Sequence, residues 1–272
     1  MNTELKLQGK LIVEGELHCQ TGLHVGAGKG SLEIGGADNP VVKDAFGRPY
    51  VPGSSLRGRL RSLLEQAHGL AVPSEMVYLS RRRGQDVRIH QSDRVDDAVC
   101  TLFGRATGRI EKVSGGELSG VNSSPARLTV YDAPLDLDSI TAAMRENLDD
   151  ELTEVKSENA IDRITSQANP RTLERVPAGA RFQVRLVLDV LCDNDKGLLA
   201  RIAEAMRLLE DDSLGGGGSR GSGRVRFAGL RVAWRSRQFY SEGAAEAELL
   251  TGGDLAALQS LATDAELSAK LA

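Results

Sequence analysis

Aromatic residues are scarce in this chain of 272 residues, where they make up 4% of the composition. Proteins that read single-stranded RNA on the sheet of an RNA recognition motif stack the bases on aromatic side chains. The sequence has no aromatic pattern of that kind, which argues against an ordinary base-stacking platform.

Cysteine and histidine are also few and widely separated. The cysteines show no CxxC spacing, which excludes a zinc ribbon or a disulfide framework and suits a reducing cytoplasm. A metal site built from the histidines would require distant segments to converge, so we predict none. These residues are Cys19, Cys100, Cys192, His18, His24, His68 and His90.

Long hydrophobic runs are missing as well. No run approaches the length of a membrane span, and residues 1–10 lack the apolar core of a signal peptide. We therefore expect a cytoplasmic protein with no membrane partner. The length fits one large domain with insertions or two small domains.

The net charge of −4 hides an uneven distribution of charge. Residues 241–272 contain six acids and one lysine, and the remainder of the chain is near neutral. Arginines cluster at residues 57–61, 81–94 and 220–237. Local clusters of cations decide phosphate binding more than net charge does, so a nucleic-acid partner stays open.

A glycine-rich stretch, LGGGGSRGSGRVRF, covers residues 214–227. Gly216, Gly218 and Gly221 satisfy a GxGxxG pattern, but a dinucleotide site requires that pattern to follow a strand and open a helix. Here a helical period precedes it and strand alternation follows it. This reversed order, and the absence of a GK[ST] motif, count against a nucleotide-binding enzyme, which we keep as an alternative.

Glycine lets another backbone approach closely, and arginines stand at the exit of this stretch. They are Arg220, Arg224 and Arg226. We interpret the stretch as a contact site for a phosphodiester chain; the alternative is a flexible loop.

A helix is predicted after residues 51–55, which read VPGSS. Ser54 and Ser55 are good N-cap residues, and Arg57 and Arg61 share one face of the helix. Free N–H groups beside arginines favour phosphate binding. The alternative is an amphipathic helix with a solvated arginine face.

The predicted core elements follow the order strand, helix, strand, strand, helix, strand, which is the ferredoxin-like pattern of an α+β fold. The strands are predicted at residues 10–20, 127–132, 182–190 and 225–235, and the helices at 56–67 and 196–209. We expect a bulge near Ala228 and Gly229, where the apolar phase of the last strand changes.

Three segments lie outside this pattern. Residues 68–125 are polar and are predicted to be an insertion. Residues 155–177 are longer than a hairpin turn requires, which predicts a projecting hairpin that carries Lys156, Arg163 and Arg171. The alanine-rich residues 241–272 are predicted to be an acidic helical tail.

Five segments occur in a fixed order: TGLHVGAG, GGADNPVVKD, VPGSSLRGRLRSLL, ENAIDRITSQANPRTLERV and LGGGGSRGSGRVRF. Together they resemble the RAMP superfamily. The resemblance is in particular to the repeated backbone subunit of type III CRISPR effector complexes, which is the Csm-type RNA-cleaving subunit. The resemblance covers residues 21–227. Each segment alone is weakly specific, whereas five in order are specific.

The resemblance implies a single RAMP domain over residues 1–272, with a modified RRM core (βαββαβ) and two insertions. Residues 68–125 would be the lid, and residues 155–177 the thumb hairpin, which splays a base pair of the guide–target duplex at regular intervals. The implied partners are a CRISPR guide RNA, a complementary target RNA, further copies of the chain in a filament, and other type III effector subunits including the large polymerase-type subunit.

The resemblance also implies the site residues. Those expected to bind RNA are Ser54, Ser55, Arg57, Arg61, Lys156, Arg163, Arg171, Gly216, Gly218, Arg220, Gly221 and Arg224. Asp38 occupies the position of the aspartate that the family requires for target cleavage, whereas Asp44 aligns with a segment that we interpret as structural.

RNA carries its own nucleophile, the 2′-OH, so Asp38 could bind a divalent cation, Mg²⁺ or Mn²⁺, or assist proton transfer. The alternative for Asp38 is an Asx-turn before Pro40. His24 is a candidate helper, although a buried or loop-capping role suits it better. The implied function is that of an RNA-guided endoribonuclease, and the alternative within the family is a non-catalytic guide-RNA scaffold.

Overall fold

The structure is a computed structural model that describes residues 5–27, 37–81, 86–106, 108–118 and 125–271. Parts of two segments that carry the resemblance, residue 28 of TGLHVGAG and residues 35–36 of GGADNPVVKD, lie outside the described residues, as do Arg82, Arg83 and residues 119–124 of the predicted insertion. Within the described part of the chain, no helix is long and apolar enough to cross a membrane.

The strands and helices are numbered in chain order. The strands are β1 (Gly9–Cys19), β2 (Tyr50–Val51), β3 (Met76–Ser80), β4 (Val87–His90), β5 (Ile110–Glu111), β6 (Glu117–Leu118), β7 (Leu128–Val130), β8 (Ala133–Asp136), β9 (Glu154–Ile161), β10 (Ala168–Arg175), β11 (Arg181–Val190), β12 (Val225–Ser236) and β13 (Ala247–Gly253). The α-helices are α1 (Gly53–Ala67), α2 (Ala98–Phe103), α3 (Ala142–Arg145), α4 (Leu198–Glu210), α5 (Arg237–Glu242), α6 (Leu255–Ala262) and α7 (Leu267–Lys270).

The main sheet has seven strands in the order β13-β12-β1-β11-β8-β2, and β7 also pairs with β11. Its centre, β12-β1-β11-β7, is antiparallel throughout. With α1 and α4 these strands follow the order βαββαβ, so the predicted α+β, ferredoxin-like core is confirmed. The alternating residues of β1 bury Leu11, Val13 and Leu17 in one core with apolar residues of α1 and α4.

The predicted bulge is confirmed in β12. Glu14 of β1 pairs with Arg231 and Glu16 pairs with Ala228, so two residues of β12 face one residue of β1. Gly229 lies in the bulge with φ of +59°, a conformation that glycine adopts without steric cost.

The predicted serine cap of α1 is wrong. The helix begins at Gly53 after Pro52, and no side chain of the N-cap residue caps it. The Gly53 N–H instead donates to Asp132 Oδ1 at 2.7 Å. A carboxylate from the connection between β7 and β8 therefore takes the place that sequence reasoning gave to a local serine.

The region predicted to be an insertion forms two small sheets, β3-β4 and β5-β6, and the helix α2. A minor apolar cluster joins Val77, Ile110 and Leu118 of these sheets. Helix α2 is different, because Val99, Leu102 and Phe103 belong to the main core.

Strands β9 and β10 form a separate two-stranded hairpin, in register from Glu154 and Arg175 to Ile161 and Ala168. Asp162 shapes its tip, because Asp162 Oδ1 accepts hydrogen bonds from the N–H groups of Ile164 and Thr165 at 2.9 and 2.7 Å. Most residues of its outer half are exposed.

The prediction of a wholly helical tail is wrong for residues 247–253. This segment forms β13, which pairs with the outer edge of β12. The physical reason is that an uncovered strand edge has unpaired N–H and C=O groups, which a further strand satisfies. The tail acids also find partners, since Glu246 forms ion pairs with Arg231 and Arg235.

Candidate functional site

Asp38 lies beside strand β10, and Thr172 fixes its side chain. The Thr172 N–H donates to Asp38 Oδ2 at 2.7 Å, and the Thr172 hydroxyl donates to the same oxygen at 2.9 Å. In return, the Asp38 N–H donates to Thr172 Oγ1 at 3.0 Å. Three hydrogen bonds therefore join two residues that are 134 positions apart in the sequence.

The next residues of this loop run parallel to β10, and Glu174 holds them. The Glu174 N–H donates to the Asn39 carbonyl at 3.1 Å, and the Val41 N–H donates to Glu174 Oε2 at 2.8 Å. Lys43 Nζ lies 2.8 Å from Glu174 Oε1, to which Thr153 also donates. The loop is thus attached to the base of the β9–β10 hairpin by a buried carboxylate.

The Asp38 carboxylate is exposed, and the hydrogen bonds from the Thr172 N–H and then its hydroxyl hold the pKa of Asp38 below its ordinary value. Asp38 is therefore ionised at neutral pH. Among the described residues, none donates to its second oxygen, Oδ1. An exposed anionic oxygen suits a hard cation such as Mg²⁺ or a hydroxyl of a ligand.

The structure does not show the Asx-turn that was the alternative for Asp38, because its carboxylate bonds to Thr172. Asp44 makes a turn of that kind instead. Asp44 Oδ1 accepts from the N–H groups of Phe46 and Arg48 at 2.8 and 2.9 Å.

His24 is buried behind this loop. Its Nδ1 lies 2.8 Å from the Glu174 carbonyl oxygen, and a side chain on Gly216 would come within 3.0 Å of its ring. His24 therefore packs between strand β10 and the glycine-rich loop, which agrees with the structural role that the sequence favoured for it.

Most glycines of the loop between α4 and β12 lie against other groups of the protein that leave no room for a side chain. Gly215 has φ of +77°, and a Cβ there would clash with the His24 carbonyl group. The Gly216 N–H donates to that carbonyl at 2.8 Å, and a Cβ on Gly218 would clash with Ser213. Gly221, with φ of +83°, has open space around it. The close approach predicted for a phosphodiester is therefore taken at these positions by protein groups, except at Gly221.

Glu158 of β9 collects three of the predicted RNA-binding cations. Its carboxylate lies 3.5 Å from Lys156 Nζ, 2.8 Å from Arg171 Nη2 and 3.2 Å from Arg220 Nε. The hydrogen bond from Arg171, and then the charges of Arg220 and Arg171, hold the pKa of Glu158 below its ordinary value. We call Lys156, Glu158, Arg171 and Arg220 the hairpin cluster.

Sequence reasoning missed Glu158, although its position two residues after Lys156 on a strand was a signal that the two share a face. The cluster joins the hairpin to the glycine-rich loop, because Arg220 belongs to that loop. Arg175 makes a second connection, since its Nη1 donates to Ser222 Oγ at 3.3 Å.

The arginine face of α1 is not a solvated face. Arg57 donates to the Phe103 carbonyl and stands 5.5 Å from the centre of the Phe103 ring, and burial lowers its pKa. Arg61 bonds to Glu65 at 2.7 Å and to the His90 carbonyl at 2.6 Å. Both arginines therefore attach α1 to the region between α1 and β7.

The other predicted RNA-binding residues lie apart from Asp38. Ser54 and Ser55 are in the first turn of α1, Arg163 is exposed at the tip of the hairpin, and Arg224 is exposed at the start of β12. Within the described parts of the chain, no hydrogen bond or ion pair joins any of these four residues to Asp38.

One histidine and one cysteine come together with an aspartate in the region between α1 and β7. The potential metal-binding atoms of His90, Asp97 and Cys100 lie within 4.8 Å of one another, and all three residues are buried. His90 Nε2 is 2.8 Å from Asp97 Oδ2, and His90 Nδ1 is 2.9 Å from the Glu75 carbonyl. Because both ring nitrogens have acceptors, the arrangement is that of a buried ion pair.

Known proteins that are similar to this chain belong to the family that the five sequence segments resemble. The family model described as the RAMP superfamily matches residues 16–226. The chain is 37% identical over 275 residues to the CRISPR system Cms endoribonuclease Csm3 of Methanothermobacter thermautotrophicus, which covers 96% of this chain and 100% of the relative. It is also 37% identical over 245 residues to the protein of that name from Methanocaldococcus jannaschii, covering 87% of this chain and 86% of the relative.

The fold resembles a chain of the crystal structure of the Csm3-Csm4 subcomplex in the type III-A CRISPR-Cas interference complex. The TM-score is 0.59 and the sequence identity 27%, and the match covers 95% of this chain and 97% of the other.

Proposed function

The chain belongs to the RAMP superfamily and to its Csm3 group, and on that premise we propose that it is an endoribonuclease. In this proposal it is a backbone subunit of a type III CRISPR effector that binds guide RNA and cleaves complementary target RNA at regular intervals. The observation that carries the proposal is the exposed carboxylate of Asp38, held in place by the Thr172 N–H and hydroxyl at the base of the β9–β10 hairpin.

The chemistry requires little from the protein. The 2′-OH of the target attacks the adjacent phosphorus once the nucleotide is turned into line, and a fixed anion beside the hydroxyl accepts its proton or holds it in position. The P–O5′ bond breaks as the new bond forms, which leaves a 2′,3′-cyclic phosphate on one fragment and, after protonation by water, a 5′-OH on the other. The hairpin adjoins Asp38, so the element that would splay the duplex is beside the group that would act on the freed nucleotide.

A divalent cation fits Asp38 as a single protein ligand. Mg²⁺ usually keeps several waters and binds one or two carboxylates together with substrate phosphates, and Asp38 Oδ1 is a suitable oxygen. Bound there, Mg²⁺ or Mn²⁺ would neutralise negative charge that develops on the phosphate.

RNA binding is assigned to cations and to backbone groups. The hairpin cluster places Lys156, Arg171 and Arg220 together between the hairpin and the glycine-rich loop. Arg163 and Arg224 are exposed beyond it, and Gly221 leaves open space. Such contacts address phosphates and do not distinguish sequence. The partners are further copies of the chain along the guide and other type III effector subunits, including the polymerase-type subunit, in the cytoplasm.

The test is the cleavage of labelled target RNA by complexes assembled with wild-type chain or with Asp38→Ala. We expect the variant to assemble and to bind guide and target normally but not to cleave, because binding uses many contacts elsewhere. Wild-type products should carry a 2′,3′-cyclic phosphate, EDTA should stop the reaction, and 2′-deoxy sugars at the cut positions should protect the target.

Asp211→Ala, which removes an exposed carboxylate at the end of α4, is the matched control and should cleave normally. Cleavage by Asp38→Ala at the wild-type rate would remove Asp38 from the mechanism. A wild-type complex that binds target and never cleaves it would instead identify a guide-RNA scaffold.

A further inference from the structure

Thr172 makes three hydrogen bonds to Asp38, two of them to one carboxylate oxygen. These bonds are not needed to attach the Asp38 loop to β10. Glu174, which is buried, already holds the loop through Asn39, Val41 and Lys43. Thr172 bonds to the carboxylate of Asp38 and to its N–H. Among the described residues, the Thr172 hydroxyl has no other partner than Asp38. Glu174 therefore fixes the loop beyond Asp38, whereas Thr172 fixes both the main chain and the carboxylate of Asp38 and also accepts from Asn39 Nδ2 at 3.4 Å through its carbonyl.

The Thr172 hydroxyl can do both parts of this task because a hydroxyl is a donor and an acceptor at once. It donates to Asp38 Oδ2 at 2.9 Å and accepts from the Asp38 N–H at 3.0 Å. The Thr172 N–H adds the second donor to Oδ2 at 2.7 Å. With two donors on Oδ2, rotation of the carboxylate is opposed, and Oδ1 is left as the oxygen for RNA or a cation.

We propose that Thr172 is a positioning residue for Asp38: it holds the carboxylate in one orientation, with Oδ1 directed to the reacting groups, and makes cleavage depend on strand β10 of the hairpin. This inference rests on the proposed function, in which Asp38 acts in cleavage. Its physical basis is that catalytic groups must be held to within a fraction of an ångström of their productive geometry. The exposed loop has no other described group that orients Asp38.

In this proposal the β9–β10 hairpin both enters the duplex and orients Asp38 through strand β10. Thr172 and Glu174 are two positions apart on β10, so both face the Asp38 loop, while Arg171 on the same strand belongs to the hairpin cluster. A displacement of β10 by a bound duplex therefore acts directly on the hydrogen bonds of Asp38.

The experiment uses assembled complexes with Thr172→Val, Thr172→Ser or Asp38→Ala. Valine has the shape of threonine but lacks the hydroxyl, whereas serine keeps it. Thr129→Val is the matched control, because Thr129 is an exposed threonine on β7. Three quantities are measured: the single-turnover cleavage rate, the Kd for target RNA, and hydrogen–deuterium exchange of a peptide that contains residues 37–42.

Thr172→Val removes both hydrogen bonds of the hydroxyl, but only the one donated to Oδ2 involves the charged carboxylate. We expect the single-turnover rate to fall about tenfold, the factor that corresponds to the loss of one hydrogen bond to a charged group. The Kd for target RNA and the Tm should not change, and exchange at residues 37–42 should be faster. Thr172→Ser should restore both the rate and the slow exchange, and Thr129→Val should match the wild type throughout.

Cleavage by Thr172→Val at the wild-type rate, with Asp38→Ala inactive, would overturn the positioning role and leave the proposed function intact. A lower rate that comes with a lower Tm or weaker target binding, and that serine does not restore, would assign Thr172 a structural role and also overturn it. Cleavage by Asp38→Ala would refute the assignment of Asp38 first, and this inference with it.

Discussion

At the scale of single residues, His90 and Asp97 make the clearest prediction about pH. Burial alone would lower the pKa of His90, but the hydrogen bonds with Asp97 and Cys100 and the electrostatic attraction of both partners outweigh it, and the pKa of His90 rises to about 10. The unfolded chain releases this proton near pH 6.5. The stabilisation is therefore complete below that pH and is lost as the pH rises towards 10.

We expect the free energy of unfolding to fall as the pH rises from 6.5 to 8.5, with a slope that reaches about 1.4 kcal/mol per pH unit above about pH 7.5, since the folded chain keeps one proton that the unfolded chain loses. Urea unfolding at several pH values measures it. The range stops below pH 9 because burial raises the pKa of Cys19 to about 12, and this thiol also lowers stability where it ionises in the unfolded chain.

The control is Asp97→Asn, which keeps an oxygen for the cap of α2, where Asp97 Oδ1 accepts from the Cys100 N–H at 2.8 Å. Without the carboxylate charge, burial opposes protonation of His90, and the slope between pH 6.5 and 8.5 should disappear or change sign. The same negative slope in wild type and variant would show that other groups cause it.

Single contacts were the part of this protein that sequence reasoning predicted least well. Asp38 was singled out through a resemblance, but its bond to Thr172 crosses 134 positions and has no local signature. The serine cap failed for the same reason, because Asp132 reaches Gly53 from another part of the chain. Local patterns state what a residue can do, and the tertiary structure decides which partner is nearest.

At the scale of elements, the β9–β10 hairpin has an inner and an outer part with different tasks. The inner part contains Leu173, which is buried, and Glu174, which holds the Asp38 loop. The outer part, residues 159–170, is exposed and forms the far end of the two-stranded β9–β10 sheet, which does not pair with the main sheet within the described residues. The two parts can therefore be separated experimentally.

We predict that replacing residues 159–170 with Asn-Gly, a pair suited to a two-residue hairpin turn, leaves the chain folded and the hairpin cluster intact. Guide binding should persist, because Arg171 and Arg220 remain. Cleavage of the target at regular spacing should be lost, because the part that reaches into the duplex is gone. Gel analysis of labelled target RNA measures the spacing, and thermal unfolding measures stability.

A deletion of residues 157–175 is the comparison. It also removes Thr172, Leu173 and Glu174, so it should lower the Tm and release the Asp38 loop, which the shorter change does not. Cuts at the same spaced positions after the shorter replacement would refute a wedge role for the outer part.

Elements with a strong period were predictable, and those that depend on a distant partner were not. Strand alternation placed β1 and β11 to within one residue of their observed bounds, and a helical period placed α4 to within two. Strand β13 (AELLTGG) was missed because its first four residues, AELL, also suit a helix, and the free edge of β12 supplies the partner that makes the segment a strand.

At the scale of the whole molecule, the acidic tail explains why a chain with net charge −4 can still present cations to RNA. Two of the six tail acids pair with arginines of β12: Glu246 pairs with Arg231 and Arg235, and Glu248 lies 3.7 Å from Arg231. The arginines at and near β12 thus differ: Arg231 and Arg235 are ion-paired with acids, whereas Arg224 and Arg226 are exposed. Composition alone could not separate the two groups.

This division predicts how RNA affinity depends on salt. Exposed cations release counterions from the RNA when they bind phosphates, and for single strands each contact contributes about 0.7 to the slope of log K against log salt concentration. Arg224→Gln and Arg163→Gln should each reduce that slope by about this amount and weaken binding of unrelated RNA sequences equally, because phosphate contacts carry no sequence information.

Arg207→Gln is the charge-matched control, since Arg207 is exposed on α4, and it should leave the slope unchanged. Filter binding of guide RNA from low to high salt measures the slopes. If all three variants keep the slope of the wild type, the phosphate contacts lie elsewhere. If the loss of affinity is confined to one RNA sequence, Arg224 and Arg163 contact bases.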